Sequence, residues 1–184
     1  MAATPEQIVT ATRQWIEKAV IGLNLCPFAK PVYARDQIRF VVSEAGTPED
    51  LLADLVDELQ TLAAAEPEEI ETTLLIHPRV LNDFLDYNDF LGIAEDAVAD
   101  LGLEGVLQVA SFHPDYQFAG TEPDDVTNYT NRSPYPTLHL LREASVEKAV
   151  ASVPDASEIY ERNMETLRRL GVEGWRRLGV ERRR

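Results

Sequence analysis

The chain has 184 residues and a mass of 20.6 kDa, long enough to fold around one core without disulfides or a structural metal. Its 45% apolar and 27% charged content is that of a globular protein and excludes a wholly disordered chain. The net charge of -15 opposes binding of a phosphate backbone by the body of the protein, so nucleic acid is not an expected partner.

The first helix begins at Thr4, where Pro5 suits the first helical position and Gln7 completes a capping box. Ile8, Thr12, Trp15, Ala19 and Leu23 recur at helical spacing, and Gly22 is its expected stop. Pro27 and Pro31 in NLCPFAKP forbid its continuation. Ile38–Ser43 reads as a strand. Thr47, Pro48 and Asp50 then start a second helix, whose apolar face is Leu51, Leu52, Leu55, Val56, Leu59 and Leu62. Thr72–His77 reads as the second strand. A helical region follows, with an expected break near Tyr87–Asn88 and a stop at Gly102.

Gly105–Phe112 is the third strand and Thr137–Leu141 the fourth, with helices expected from Ser145 and over Asp155–Leu170. Strands joined by helices imply parallel crossovers. The expected fold is therefore an α/β or α+β single domain. It has a four-stranded, mostly parallel sheet, flanking helices and a long ordered loop before the last strand, and strand four could run either way. Residues 1–170 form the expected globular unit and 171–184 a basic tail. Seven Arg and two Glu fall between Arg168 and Arg184, while the rest of the chain has ten basic and thirty acidic residues. Three glycines, Gly171, Gly174 and Gly179, make a long stable helix unexpected there.

No apolar run is long enough for a transmembrane helix, so no membrane association is expected. The N-terminal residues lack the charge and apolar pattern of a secretory signal. A single cysteine, Cys26, forbids an intrachain disulfide. A cytoplasmic location is the expectation.

In a sheet with parallel strands, ligands bind beyond the carboxyl ends of the strands. That rule selects His77 and His113, each at a strand end and each followed by proline. If strand four is antiparallel, His139 could join them near the same edge, with Asp115 alongside. Three neutral imidazoles could hold a divalent metal with an open position. Strand-end histidines can equally well hydrogen-bond loop backbone. His113–Pro136, a 24-residue stretch with four prolines, is too long and too aromatic to be an idle connection. It carries Tyr116, Tyr129, Asn131 and Arg132, of which Arg132 could clamp an anion in two-pronged fashion, or pair with a neighbouring acid. Cys26 could be a nucleophile if a cation or histidine lowered its pKa, or a small buried hydrophobe. Asp83, Asp86 and Asp89 share one side of a helix and read as a solvated face. The chain has no P-loop, GxGxxG, CxxC, HExxH or GxSxG pattern.

RQWIEKAVIGLNLCPFAKP, LLIHPRVLNDFLDYNDFL, QVASFHPDYQFAG and NYTNRSPYPTLHLLREASV together resemble the bacterial family called domain of unknown function 1415. The blocks run from Arg13 to Val146. The resemblance implies a bacterial, cytoplasmic, one-domain protein and brings no activity with it. From the residues, the leading function is a small enzyme acting on a small polar or anionic molecule. In it His113 is base or metal ligand, His77 its partner, Cys26 and Asp115 further catalytic candidates, and Arg132, Asn131, Tyr129 and Tyr116 the ligand-binding set. The alternative is a non-catalytic ligand-binding or protein-interaction module. Nothing in the sequence fixes the oligomeric state.

Overall fold

The computed structural model describes residues 1–182; Arg183 and Arg184 of the basic tail lie outside the described residues. Helix α1 (Pro5–Trp15) starts on the Thr4–Gln7 capping box and runs into a π-helical segment, Ile16–Ile21, that ends at Gly22. The helix α2 (Ala29–Ala34) was not expected across Pro31. It forms because Pro31 falls in the first turn, where a backbone N–H has no partner to lose. Then follow β1 (Ile38–Val42), α3 (Pro48–Ala64), β2 (Thr72–Ile76), α4 (Phe84–Asp100), β3 (Leu107–Phe112), a 3₁₀ helix (Val126–Asn131), β4 (Thr137–Arg142), α5 (Glu143–Ala151) and α6 (Ser157–Leu178). Helix α4 runs unbroken through Tyr87–Asn88, capped at its start by the Asp83 carboxylate.

The four strands form one sheet in the order β1-β2-β4-β3. It is mixed and mostly antiparallel, not mostly parallel: β1 and β2 pair in parallel, while β4 is antiparallel to both β2 and β3. The reason is the connection into β4. The link between β3 and β4 has no crossover helix, so β4 doubles back beside β3 and fills the place between β3 and β2. β1, β2 and β3 still point the same way, so their carboxyl ends share one edge.

Strand alternation divides the core. Val41, Leu75, Leu107, Val109, Leu138 and Leu140 face α3 and α4. Ile38, Phe40, Leu74 and Phe112 face the opposite way, toward Trp15, Ile16 and Ala19 of the first helical segment and Leu167 and Trp175 of α6. A smaller cluster joins Ile8 and Ala11 of α1 to Ile76 and Tyr135.

The segment after residue 170 is part of this core. Gly171, at φ 70°, takes a left-handed conformation that other residues adopt at a cost, and it breaks the helical path. The chain then turns so that Trp175 and Val180 become buried, with the Trp175 ring 5.0 Å from that of Tyr129. Gly171 thus redirects the helix, and the apolar residues between the arginines hold it down.

The C-terminal carbonyls of α3 have an unusual partner. Arg142 Nη2, at the end of β4, shares its two hydrogens among the carbonyls of Leu62 and Ala65 at the end of α3 and of Ile70 in the link to β2, at 3.1, 3.0 and 2.7 Å. A guanidinium replaces the usual glycine cap and joins α3 to the centre of the sheet. Replacing Arg142 by Ala should cost about 2–3 kcal/mol in urea unfolding, because hydrogen bonds from a charged donor are lost together. A loss below about 0.5 kcal/mol, typical of an ordinary surface position, would show that water substitutes for it.

Candidate functional site

His77 and His113 follow Ile76 and Phe112, both of which pair with Thr137 of β4. They therefore stand side by side at the carboxyl edge, and both are fully buried. Continuing the alternation, their rings lie on the α4 side. The His77 ring stacks on Tyr87 at 5.7 Å, and His113 meets Tyr87 at 4.9 Å and Phe84 at 5.4 Å.

Their nitrogens are used by the backbone. His113 Nδ1 accepts from the Asp115 amide at 3.0 Å, which makes Nε2 the donor to the Leu81 carbonyl at 3.0 Å. His77 Nδ1 donates to the Val80 carbonyl at 2.9 Å, so its Nε2 is a bare lone pair, buried without a partner. Two imidazoles thus bind consecutive carbonyls and pin the loop that follows β2, where Leu81 is held at φ 57°. Burial depresses both histidines, His77 to about 4, and keeps them neutral. His113 has no free nitrogen for a metal or a proton in transfer.

His139 does not join them. It stands in mid-β4 opposite Leu74 and Ala110, with its ring 5.5 Å from Phe112 on the other face of the sheet. Burial lowers its pKa to about 4 as well. The proposed histidine trio is not assembled, and among the described residues no three His, Cys, Asp or Glu side chains are grouped to hold a metal. Strand alternation is the reason: odd and even positions project to opposite faces.

Cys26 follows the π-helical segment as an exposed residue, not the buried hydrophobe that its apolar neighbours suggest. Partial desolvation by its neighbours raises its thiol pKa by more than the Phe28 and Ala29 amides lower it, and no cation among the described residues acts on it. This is the opposite of what a thiolate nucleophile needs.

The 113–136 loop is built around Asn128, a fully buried residue that the sequence offers only as one of the loop's several polar groups. Its side-chain oxygen accepts from the Phe118 amide and the Thr121 hydroxyl, and its nitrogen donates to the Glu122 carbonyl. Arg132 is the second tie. It donates to the carbonyls of Tyr116 at 3.0 Å and Pro123 at 2.7 Å, and its guanidinium lies 4.9 Å from the centre of the Tyr129 ring. Asn131 bonds the Ser111 carbonyl and accepts from the His113 amide. Tyr116 packs on Phe84 and Phe118. Tyr116 and Asn131 are tied into the loop, while Tyr129 and Arg132 also line a cleft together with Asp115.

Clefts open at this edge, two of them lined by arginines. One of about 310 Å³ lies beyond β1 and β2, floored by Ile8, Val42 and Tyr135 and rimmed by Arg79, Asn82, Glu44 and Arg182. A second, of about 290 Å³, lies between Arg132, Ser133 and Trp175, with Asp115, Glu181 and again Arg182. Arg182 stands between them and binds the Asp115 carboxylate at 2.6 Å. Arg79 makes no ion pair among the described residues. It sits in the loop that His77 and His113 pin down. Arg79 was visible in HPRV, directly after the strand-end histidine, but a lone arginine next to a more suggestive histidine gave no separate signal.

The chain belongs to the family described as protein of unknown function (DUF1415), whose model matches residues 7–177. No curated protein and no solved structure matches it.

Two measurements test these assignments. A histidine held below its unfolded pKa of about 6.5 stabilises the fold above that pH, and the stabilisation is lost as pH falls toward 4. Between pH 7.5 and 5, His77 alone should account for about 2 kcal/mol of lost unfolding free energy. His77→Gln should flatten the pH dependence by that amount, and an unchanged slope would contradict the buried neutral imidazole. Arg132→Lys should lower stability by about 1–2 kcal/mol through the lost carbonyl bonds; an unaltered melting temperature would return Arg132 to the list of ligand groups.

Proposed function

We propose that this DUF1415 chain binds a small anionic molecule in the cleft between Arg79 and Arg182. The observation that carries the reading is the placement of two guanidinium groups on one cleft of an otherwise acidic protein, one of them, Arg79, without an ion pair among the described residues. A net charge of -15 disfavours anions over most of the surface, so two cations lining one cleft mark a place where one can rest. Guanidinium forks suit carboxylate and phosphate oxygens. Asn82 adds an amide on the same rim, and Ile8, Val42 and Tyr135 give an apolar floor for a short carbon skeleton. The volume of about 310 Å³ sits at the small end of small-molecule sites.

Of the two functions weighed from the sequence, these groups support ligand binding over catalysis. The histidines act as positioning residues: they fix the loop that presents Arg79, and their rings lie under α4 rather than in the cleft. Among the described residues no helix is long and apolar enough to cross a membrane, so the anion is read as a dissolved one.

Isothermal titration with inorganic phosphate and with acetate tests the reading. At least one should bind in the millimolar range or better. Arg79→Ala should weaken that binding about tenfold, the effect of losing roughly 1.4 kcal/mol, with little change in melting temperature because Arg79 is exposed. Binding that ignores Arg79, or no binding by either anion, would refute it.

A further inference from the structure

We propose that the open edge of β1 is a docking strand for an extended basic segment of another protein, which adds to the sheet and lays its cations along α3. The surface lies between β1 and α3 and makes no use of Arg79 or Arg182.

β1 stands at one end of the sheet order, so only one of its edges is paired. At its two ends the Gln37 carbonyl accepts from the Thr72 amide at 3.4 Å, and the Ser43 amide donates to the Ile76 carbonyl at 2.8 Å. Bonding positions alternate along a strand, so Arg39 and Val41 also turn their backbone groups toward β2. Those of Ile38, Phe40 and Val42 point outward, and among the described residues no turn, loop or side chain bonds to them. β1 is partly exposed along its whole length, whereas β2 is buried throughout. Such an edge is a template for another strand, and sheets commonly blunt it with proline, a bulge or a projecting charge. IRFVV has no proline, and its register with β2 is unbroken. Its one charge, Arg39, is turned onto Glu58 at 2.8 Å.

The groove beside the edge selects the strand that fits. It has a volume of about 550 Å³, more than either arginine-lined cleft. Glu44, Asp50, Asp54, Asp57 and Glu58 line it, with no basic residue among them. Bonds from Ser43 to Asp54 and from Arg39 to Glu58 show that α3 runs back along β1. Asp54 and Glu58 are thereby engaged. Glu44, Asp50 and Asp57 are exposed and form no ion pair among the described residues. The carboxylates are spread along the groove rather than gathered: among the described residues no three acidic, His or Cys side chains are grouped to hold a metal. A row of separated anions suits a row of cations. Alternate residues of a strand are roughly 6.6 Å apart, and four residues of a helix rise about 6 Å. Lysines or arginines at alternate positions therefore keep step with the carboxylates of α3, while the backbone bonds to β1 supply the affinity. A second copy of this chain is disfavoured as the occupant, because it would set its own acidic groove against this one.

The test is titration of the full chain with three capped peptides. One alternates lysine and valine, the second has glutamate for lysine, and the third is the lysine peptide with every backbone amide methylated. The lysine peptide should bind in the micromolar range and the glutamate peptide should not bind. Methylation of the peptide should weaken binding about tenfold or more through the lost backbone bonds, and so should the double change Asp50→Asn with Asp57→Asn through the lost charge. Melting temperatures confirm that this variant folds. On binding, hydrogen exchange should slow at the Phe40 and Val42 amides and not at Arg39 and Val41, which are already bonded. A methylated peptide that binds like its parent, or exchange unmoved at Phe40 and Val42, would reduce the contact to charge alone and overturn strand addition. A lysine peptide that fails to bind, or that binds the double variant equally well, would overturn it too. If the chain alone sediments as a dimer with Phe40 and Val42 already protected, the edge belongs to a second copy and the inference falls.

Discussion

The arrangement depends on one strand. Among the described residues β4 is the one strand bonded to both β2 and β3, and it runs against each of them. Without it, the β1–β2 pair and β3 have no backbone contact across the sheet. Its place also determines the edge where the clefts open. Thr137 sets Ile76 and Phe112 at the same level, so the residues that follow, His77 and His113, emerge together. At its other end Arg142 holds the last turn of α3. A single element thus fixes the sheet, the end of a helix and the start of two loops.

The loop before β4 makes that placement possible. A chain that doubles back through 24 residues with only a short 3₁₀ helix must satisfy most of its backbone groups by other means. Asn128 and Arg132 do this, with three and two bonds respectively to their own loop. The arginine that sequence reasoning assigned to a ligand is used in closing the loop, and an arginine assigned to a loose tail, Arg182, lines both clefts.

Elements with strong periodicity were legible. The Thr4–Gln7 capping box, the leucine face of α3 and all four strands stand close to where pattern and turn chemistry place them. Strand direction was not legible, because a β-rich segment after a long loop carries no mark of which neighbour it will join. The strand-end position of both histidines could be read from His-Pro at each strand end, but their chemistry could not. Whether an imidazole faces a cleft or a loop carbonyl depends on the path of the next four residues, and that path includes a left-handed Leu81 which no local rule predicts. The packing of Trp175 was hidden for a similar reason: its arginine-rich neighbours dominate the composition of the segment, while one buried indole decides where it goes.

The clefts also have a mechanical character. Ala2, Ala3 and Pro5 line the first cleft opposite Arg182, so the two extremes of the described chain come together across it. The sheet hydrogen bonds lie behind this closure. Tension applied between residues 2 and 182 would act first on the Arg182–Asp115 pair and the Val180 contact, well before it reached the strands.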